Sequence, residues 1–209
     1  MKPSETRICG VILAGGRGSR LHYQHKPLIR VGHKRIIEWI IESASQQTCR
    51  LVINVNRDFS RYEEFDLPLI PDLVSMDSGP LAGIHATMCW ARQSEPCCTH
   101  IACFPGDVPW FEPDLVQRLL DCMIASDGRV GWLQTGAQWQ PLFSLWELSL
   151  AERLGEALQM GLYSPLQFIR SQANAMLSVP GIRPGDYLNI NTQEDLAIAN
   201  AIAHERSFS

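Results

Sequence analysis

The run Arg7-Ile-Cys-Gly-Val-Ile-Leu13 is short, apolar and β-branched, and it stops abruptly at Ala14-Gly15-Gly16. A run with no polar alternation reads as a strand covered on both faces, which places it near the centre of a parallel sheet and makes the glycines its exit loop. The same grammar recurs downstream. Arg50-Leu-Val-Ile-Asn-Val55, Leu67-Pro-Leu-Ile70 and Thr99-His-Ile-Ala-Cys-Phe104 read as further strands. Between them, Ile36, Ile37, Ile40, Ile41 and Ala44 recur at helical spacing to about Gln47, and a second helix is expected from about Gly79 to Ala91. A third helix is expected near Pro113 to Ile124.

Strands alternating with helices imply a mainly parallel sheet with helices on both faces, a three-layer α/β/α arrangement. Further along, Arg129–Leu133 and Pro141–Leu145 read as two more strands, with the glutamine-rich stretch between them as a loop. A helical stretch follows from about Glu147 to Ile169, interrupted near Tyr163-Ser-Pro165. The last helix, Thr192 to about Ala203, starts at Thr192 as N-cap, with Asp195 in the reciprocal capping position. Trp132, Trp139, Trp146 and Phe143 read as sheet core plus one exposed loop edge. At 209 residues the chain is expected to form a single domain, 1–209, and a monomer.

Composition excludes several roles. A net charge of -4 argues against a general polyanion surface, so no nucleic-acid partner is expected. No stretch approaches the roughly 20 apolar residues of a membrane span, and the first residues lack the apolar core of a secretory leader. The seven cysteines have no Cys-x-x-Cys spacing and read as small buried hydrophobes in a reducing, cytoplasmic setting. Against the acidic average, Arg17, Arg20, Lys26, Arg30, Lys34 and Arg35 follow one another with no intervening acid, and His22, His25 and His33 fall in the same stretch. Such a run is commonly a solvated face, but its position beside glycines favours an anion site.

In an open parallel sheet, ligands bind beyond the carboxyl ends of the strands. Three polar clusters fall there: the loop from Leu13 to Lys26, Asn54 with Asn56, and Asp107. Gly15, Gly16 and Gly18 let backbone N–H groups approach a phosphate, and Arg20 and Lys26 can supply cations. The loop is neither a P-loop nor a dinucleotide fingerprint, since both spacings are missing. Asp107, after an apolar strand and within Gly106-Asp-Val-Pro109, suits a hard cation such as Mg2+ that takes one or two carboxylates and completes its shell with phosphate oxygens. Taken alone, it could equally be a turn aspartate.

Together, Leu13-Ala-Gly-Gly-Arg-Gly-Ser-Arg-Leu21, Lys26-Pro-Leu28, Asn54-Val-Asn56, Gly79-Pro-Leu-Ala-Gly83, Pro105-Gly-Asp-Val-Pro109 and Asn189-Ile-Asn-Thr-Gln-Glu-Asp-Leu196 resemble the molybdenum cofactor guanylyltransferases. The matches run in family order over most of the chain. The resemblance implies a Rossmann-like nucleotidyltransferase fold and transfer of GMP from GTP-Mg2+ to molybdopterin. It also implies transient contact with proteins that deliver or accept the cofactor. Leu13, Ala14, Gly15 and Gly16 would hold guanine and phosphate through the backbone, with Lys26 and Arg20 on the phosphates and Asp107 on Mg2+. Asn54 and Asp72 would lie near the nucleoside, Gly79 to Gly83 would line the crevice, and Asn189 and Asn191 would face the metal or the pterin.

The chain departs from the family pattern at two points. His22 stands where the family has glycine, and His25 where it has an aspartate that could orient the lysine. Both histidines are expected to be exposed loop residues. The loop is also compatible with sugar-1-phosphate nucleotidyltransferases, with a cytidylyl transferase, or with a nucleotide-binding homologue that has lost catalysis.

Overall fold

The computed structural model describes residues 6–15, 25–73, 79–180 and 183–206. In chain order the elements are β1 (Arg7–Leu13), β2 (Arg30–Val31), β3 (Lys34–Arg35), α1 (Ile36–Ser45), β4 (Arg50–Asn54), β5 (Leu69–Ile70), α2 (Pro80–Ser94) and β6 (Cys98–Pro105). They continue with α3 (Leu115–Ser126), β7 (Val130–Thr135), β8 (Gln138–Glu147), α4 (Ala151–Gln159), α5 (Pro165–Arg170), β9 (Asn174–Val179) and α6 (Gln193–Arg206). Single 3-10 turns, among them Lys26–Leu28, fill several connections.

Seven strands form one sheet in the order β5-β4-β1-β6-β8-β7-β9. β1 pairs parallel to both β4 and β6, as its two-sided apolar sequence requires. β8 runs antiparallel to β6 and β7, and β9 parallel to β7. Alternation along β1 separates the two cores: Ile8 and Ile12 join the layer of α1, α3 and α6, while Cys9, Val11 and Leu13 join that of α2, α4 and α5. The expected three-layer α/β/α fold is therefore present.

The structure corrects the right-hand half of the sheet. The glutamine-rich stretch is mostly strand: Gln134 pairs with Trp139 and Thr135 with Gln138, leaving a tight turn in which Gly136 takes φ +55°. β9 has no counterpart in the sequence reading. Asn174, Met176 and Ser178 are not strand formers, and only Ala175 and Val179 are buried. Glu147 is still strand, so the expected long helix begins only at Ala151, and it breaks before Ser164, whose hydroxyl caps α5. Trp132, Trp146 and Phe143 are core, and Trp139 is exposed with the Arg170 guanidinium over its ring.

Candidate functional site

The central strands deliver their ends to one place because they are parallel and in register. Leu13 lies opposite Asn54 on one side and Pro105 on the other. The stitching continues past the strands: Ala14 N–H donates to the Asn54 carbonyl at 2.9 Å, and Gly106 N–H donates to the Leu13 carbonyl at 3.1 Å. Glycines permit this closeness. A Cβ on Gly15 would lie 2.8 Å from Asn56 Nδ2, and one on Gly106 would lie 2.7 Å from the Leu13 carbonyl and 3.0 Å from Pro27. Gly83, in the second turn of α2, lets that helix sit directly under Asn54, whose Oδ1 would be 2.2 Å from an added Cβ. Gly79 precedes Pro80 at φ +66°, outside the range other residues readily adopt.

On the β4 side, two amides grip one carboxylate. Asn54 Nδ2 donates to Asp72 Oδ1 at 2.8 Å and to the Ile70 carbonyl at 3.0 Å. Asn56 Nδ2 donates to Asp72 Oδ2 at 2.8 Å, and Asp72 N–H returns a bond to Asn56 Oδ1 at 2.8 Å. This lattice fixes the exit of β5 against that of β4 and holds a half-buried carboxylate behind the two asparagines that face Gly15.

On the β6 side the packing of Pro27 against Gly106 brings Lys26 to Asp107. Lys26 Nζ donates to Asn191 Oδ1 at 2.5 Å and stands 3.6 Å from Asp107 Oδ2. The two side chains are only 18% and 27% exposed. Burial pushes the Asp107 carboxyl above its ordinary value, and the Lys26 ammonium pulls part of that shift back. Asp107 is thus a partly desolvated carboxylate facing one cation at more than hydrogen-bond distance, an arrangement still short of positive charge.

Asn191 is itself held. Ile190 N–H donates to the Asp107 carbonyl at 3.0 Å, which docks the approach to α6 against β6. Asp195 accepts from Asn191 N–H at 2.9 Å and Thr192 N–H at 2.8 Å, while Thr192 Oγ1 accepts from Asp195 N–H at 3.1 Å. This is the expected capping box, and these bonds, first that from Asn191, lower the Asp195 carboxyl below its usual range. Half-buried Asn189 lies two residues earlier on the same segment.

The basic run divides. Lys34 pairs with Glu42 at 2.5 Å and lies over the Trp39 ring. Arg35 binds both oxygens of Glu64 at 2.7 and 2.8 Å, bonds Glu38, and covers the Phe65 ring. Arg30 donates to the His33 carbonyl. Among the described residues of the run, Lys26 alone reaches the strand ends, so Lys34 and Arg35 are not part of an anion site. Gly16, Arg17, Gly18, Arg20 and His22 lie outside the described residues. His25 corrects another expectation: its side chain is 13% exposed, and Nε2 lies 2.7 Å from Asp58 Oδ2.

Residues 10–175 match the MobA-like NTP transferase domain. The chain belongs to that family. It is accordingly a nucleotidyltransferase. It is 30% identical, over 95% of its length and 94% of the relative's, to a protein of Bradyrhizobium sp. (strain ORS 278) named molybdenum cofactor guanylyltransferase. A protein of the same name from Rhodopseudomonas palustris (strain HaA2) is 31% identical over 92% of this chain and 91% of its own. Among solved structures, molybdopterin-guanine dinucleotide biosynthesis protein A from Archaeoglobus fulgidus superposes with a TM-score of 0.73 at 24% identity, covering 94% of this chain and 99% of that one, which shows the shared fold. Two contacts around Lys26 have no counterpart in the sequence pattern: Asp58 on His25, and Asn191 on Lys26 across 165 residues. No local pattern signals either one.

Proposed function

We propose that this chain transfers GMP from GTP to molybdopterin, forming the guanine dinucleotide cofactor and releasing pyrophosphate. The observation that carries the reading is the Lys26–Asp107 ion pair at the converged strand ends, a cation and a carboxylate 3.6 Å apart and placed to act on one polyphosphate. The names of the relatives, matched over nearly the whole chain, supply the substrates.

In this reading, 1–209 is one nucleotidyltransferase domain acting in the cytoplasm. All seven cysteines are free, as a reducing compartment favours, and no described helix is long and apolar enough to cross a membrane. Leu13, Ala14, Gly15 and Gly16 hold guanine and phosphate through their backbone, with Asn54 and Asp72 on the nucleoside side. Gly79 and Gly83 bring α2 against that wall. Lys26 and Arg20 offset charge on the β- and γ-phosphates, and Asn189 and Asn191 face the acceptor.

The terminal phosphate of molybdopterin attacks the α-phosphorus of GTP in line. A new P–O bond forms as the bond to the β-phosphate oxygen breaks, and pyrophosphate leaves. The nucleophile is already ionised, so alignment and charge neutralisation supply the acceleration, and no general base is needed.

The surroundings of Asp107 fit a hard divalent cation, Mg2+ in this reading. The carboxylate is partly desolvated, and Lys26, the cation beside it, stands at 3.6 Å. Asp107 would hold such a cation together with nucleotide oxygens and water. When bound it would neutralise phosphate oxygens and polarise the α-phosphate.

The test incubates the chain with GTP, Mg2+ and molybdopterin and follows pyrophosphate together with the product mass. Pyrophosphate and guanine dinucleotide formed one for one are expected. Intact GTP under conditions where a relative turns over would overturn the reading, as would preferential turnover of CTP or of a sugar 1-phosphate.

A further inference from the structure

Lys26 is fixed at its ammonium by Asn191, and its backbone is fixed separately. It opens a 3-10 turn in which Leu28 N–H donates to the His25 carbonyl at 3.0 Å. His25 is therefore the residue through which that turn is anchored, and its imidazole reaches away to Asp58. Asp58 lies four residues past the end of β4, on the loop that grips Asp72 through Asn56. The 2.7 Å contact between Nε2 and Oδ2 is charge-assisted, and the imidazole also stands edge-on to the fully buried Tyr62, with ring centroids 6.2 Å apart. Asp58 itself is held in the left-handed region at φ 51°, where its carbonyl accepts from Arg61 N–H at 2.9 Å. A non-glycine residue keeps that conformation at some cost, which the surrounding contacts must offset. The carboxylate is half exposed, so it adds little to the core, and its contact with His25 joins the Lys26 turn to the β4 exit.

We infer that Asp58, acting through His25, is a positioning residue for Lys26. Asp58 supplies a carboxylate from another loop, one imidazole away from the turn that carries Lys26, so that turn is braced from the β4 exit as well as through Asn191. The inference rests on the nucleotide-site reading above and extends it.

The test compares wild type with Asp58→Ala, Asp58→Asn, His25→Asp and the exchange His25→Asp/Asp58→His. The readouts are Kd for GTP-Mg2+, KM and kcat with molybdopterin, and Tm. Loss of one charge-assisted bond predicts about tenfold weaker GTP binding and a higher KM in Asp58→Ala, with kcat at saturation and Tm little changed. Asp58→Asn, which keeps an acceptor, should fall between the two. His25→Asp alone should be the weakest binder, because it sets two carboxylates together, and the exchange should recover GTP affinity to within about threefold of wild type by restoring the pair. GTP binding by Asp58→Ala equal to wild type, or an exchange no better than His25→Asp alone, would overturn the inference. A wild type that does not bind GTP at all would overturn the underlying reading, and this inference with it.

Discussion

Lys26 and Arg35 belong to the same basic run, nine residues apart, and end in opposite electrostatic situations. Arg35 is saturated, with both Glu64 oxygens and Glu38 on its guanidinium and Phe65 beneath it. Lys26 has one amide oxygen and a carboxylate at 3.6 Å. A cation already bonded to two carboxylates is a brace, and binding an anion there would first break existing bonds. One left short of partners, beside a carboxylate left short of positive charge, can accept a polyphosphate and a metal without that cost. Proximity to glycines in sequence does not separate the two; the downstream acids do.

Removing the poised carboxylate should have the largest effect. Asp107→Asn is expected to lower turnover about a thousandfold, the scale seen when a charge-stabilising group is removed from a transition state. In metal-free buffer near neutral pH its Tm should not fall. A carboxyl raised by burial disfavours the folded state once ionised, so removing the charge lifts a burden. A clear drop in Tm would show Asp107 to be a brace as well.

Arg35→Ala should invert this pattern. Its partner Glu64 is largely exposed and Glu38 partly so, and the loss in Tm is therefore expected to be small, with KM for GTP unchanged. The pH signature has a definite sign. Arg35 holds Glu38 and Glu64 below the usual glutamate range, so their contribution is present above that range and is lost as pH falls through their folded values. The Tm–pH curve of Arg35→Ala should accordingly be flatter on its acid limb than that of wild type, and parallel limbs would count against the brace.

The smallest effect is expected at Lys34, whose Glu42 partner is more than half exposed. Lys34→Ala should stay within about 0.5 kcal/mol in denaturant titrations and leave GTP affinity unchanged. A measurable loss of affinity would return Lys34 to the anion site.

The left half of the sheet was legible in the sequence because burial on both faces writes long apolar runs. β1, β4 and β6 and the helices between them can be read this way, and the parallel-sheet rule then puts Leu13, Asn54 and Asp107 at one end. The right half was not. β9 is an edge strand whose inward alanine, leucine and valine alternate with exposed Asn174, Met176 and Ser178, and the glutamines of the β7–β8 hairpin carry no strand signal. At the site, the residue types and their strand-end positions were legible, but their partners were not. Which cations are drawn into surface ion pairs depends on Glu38 and Glu42 returning one and two helical turns into α1 and on Glu64 arriving from a separate loop, while the His25–Asp58 contact spans 33 positions. Hydrogen bonds of this kind follow from packing geometry, which no local pattern encodes.

The most direct test of the account is a calorimetric titration of GTP-Mg2+ into wild type, Lys26→Ala and Arg35→Ala under one buffer. At least tenfold weaker binding is expected for Lys26→Ala, and wild-type affinity for Arg35→Ala. Equal affinity of Lys26→Ala and wild type, or a greater loss in Arg35→Ala, would contradict it.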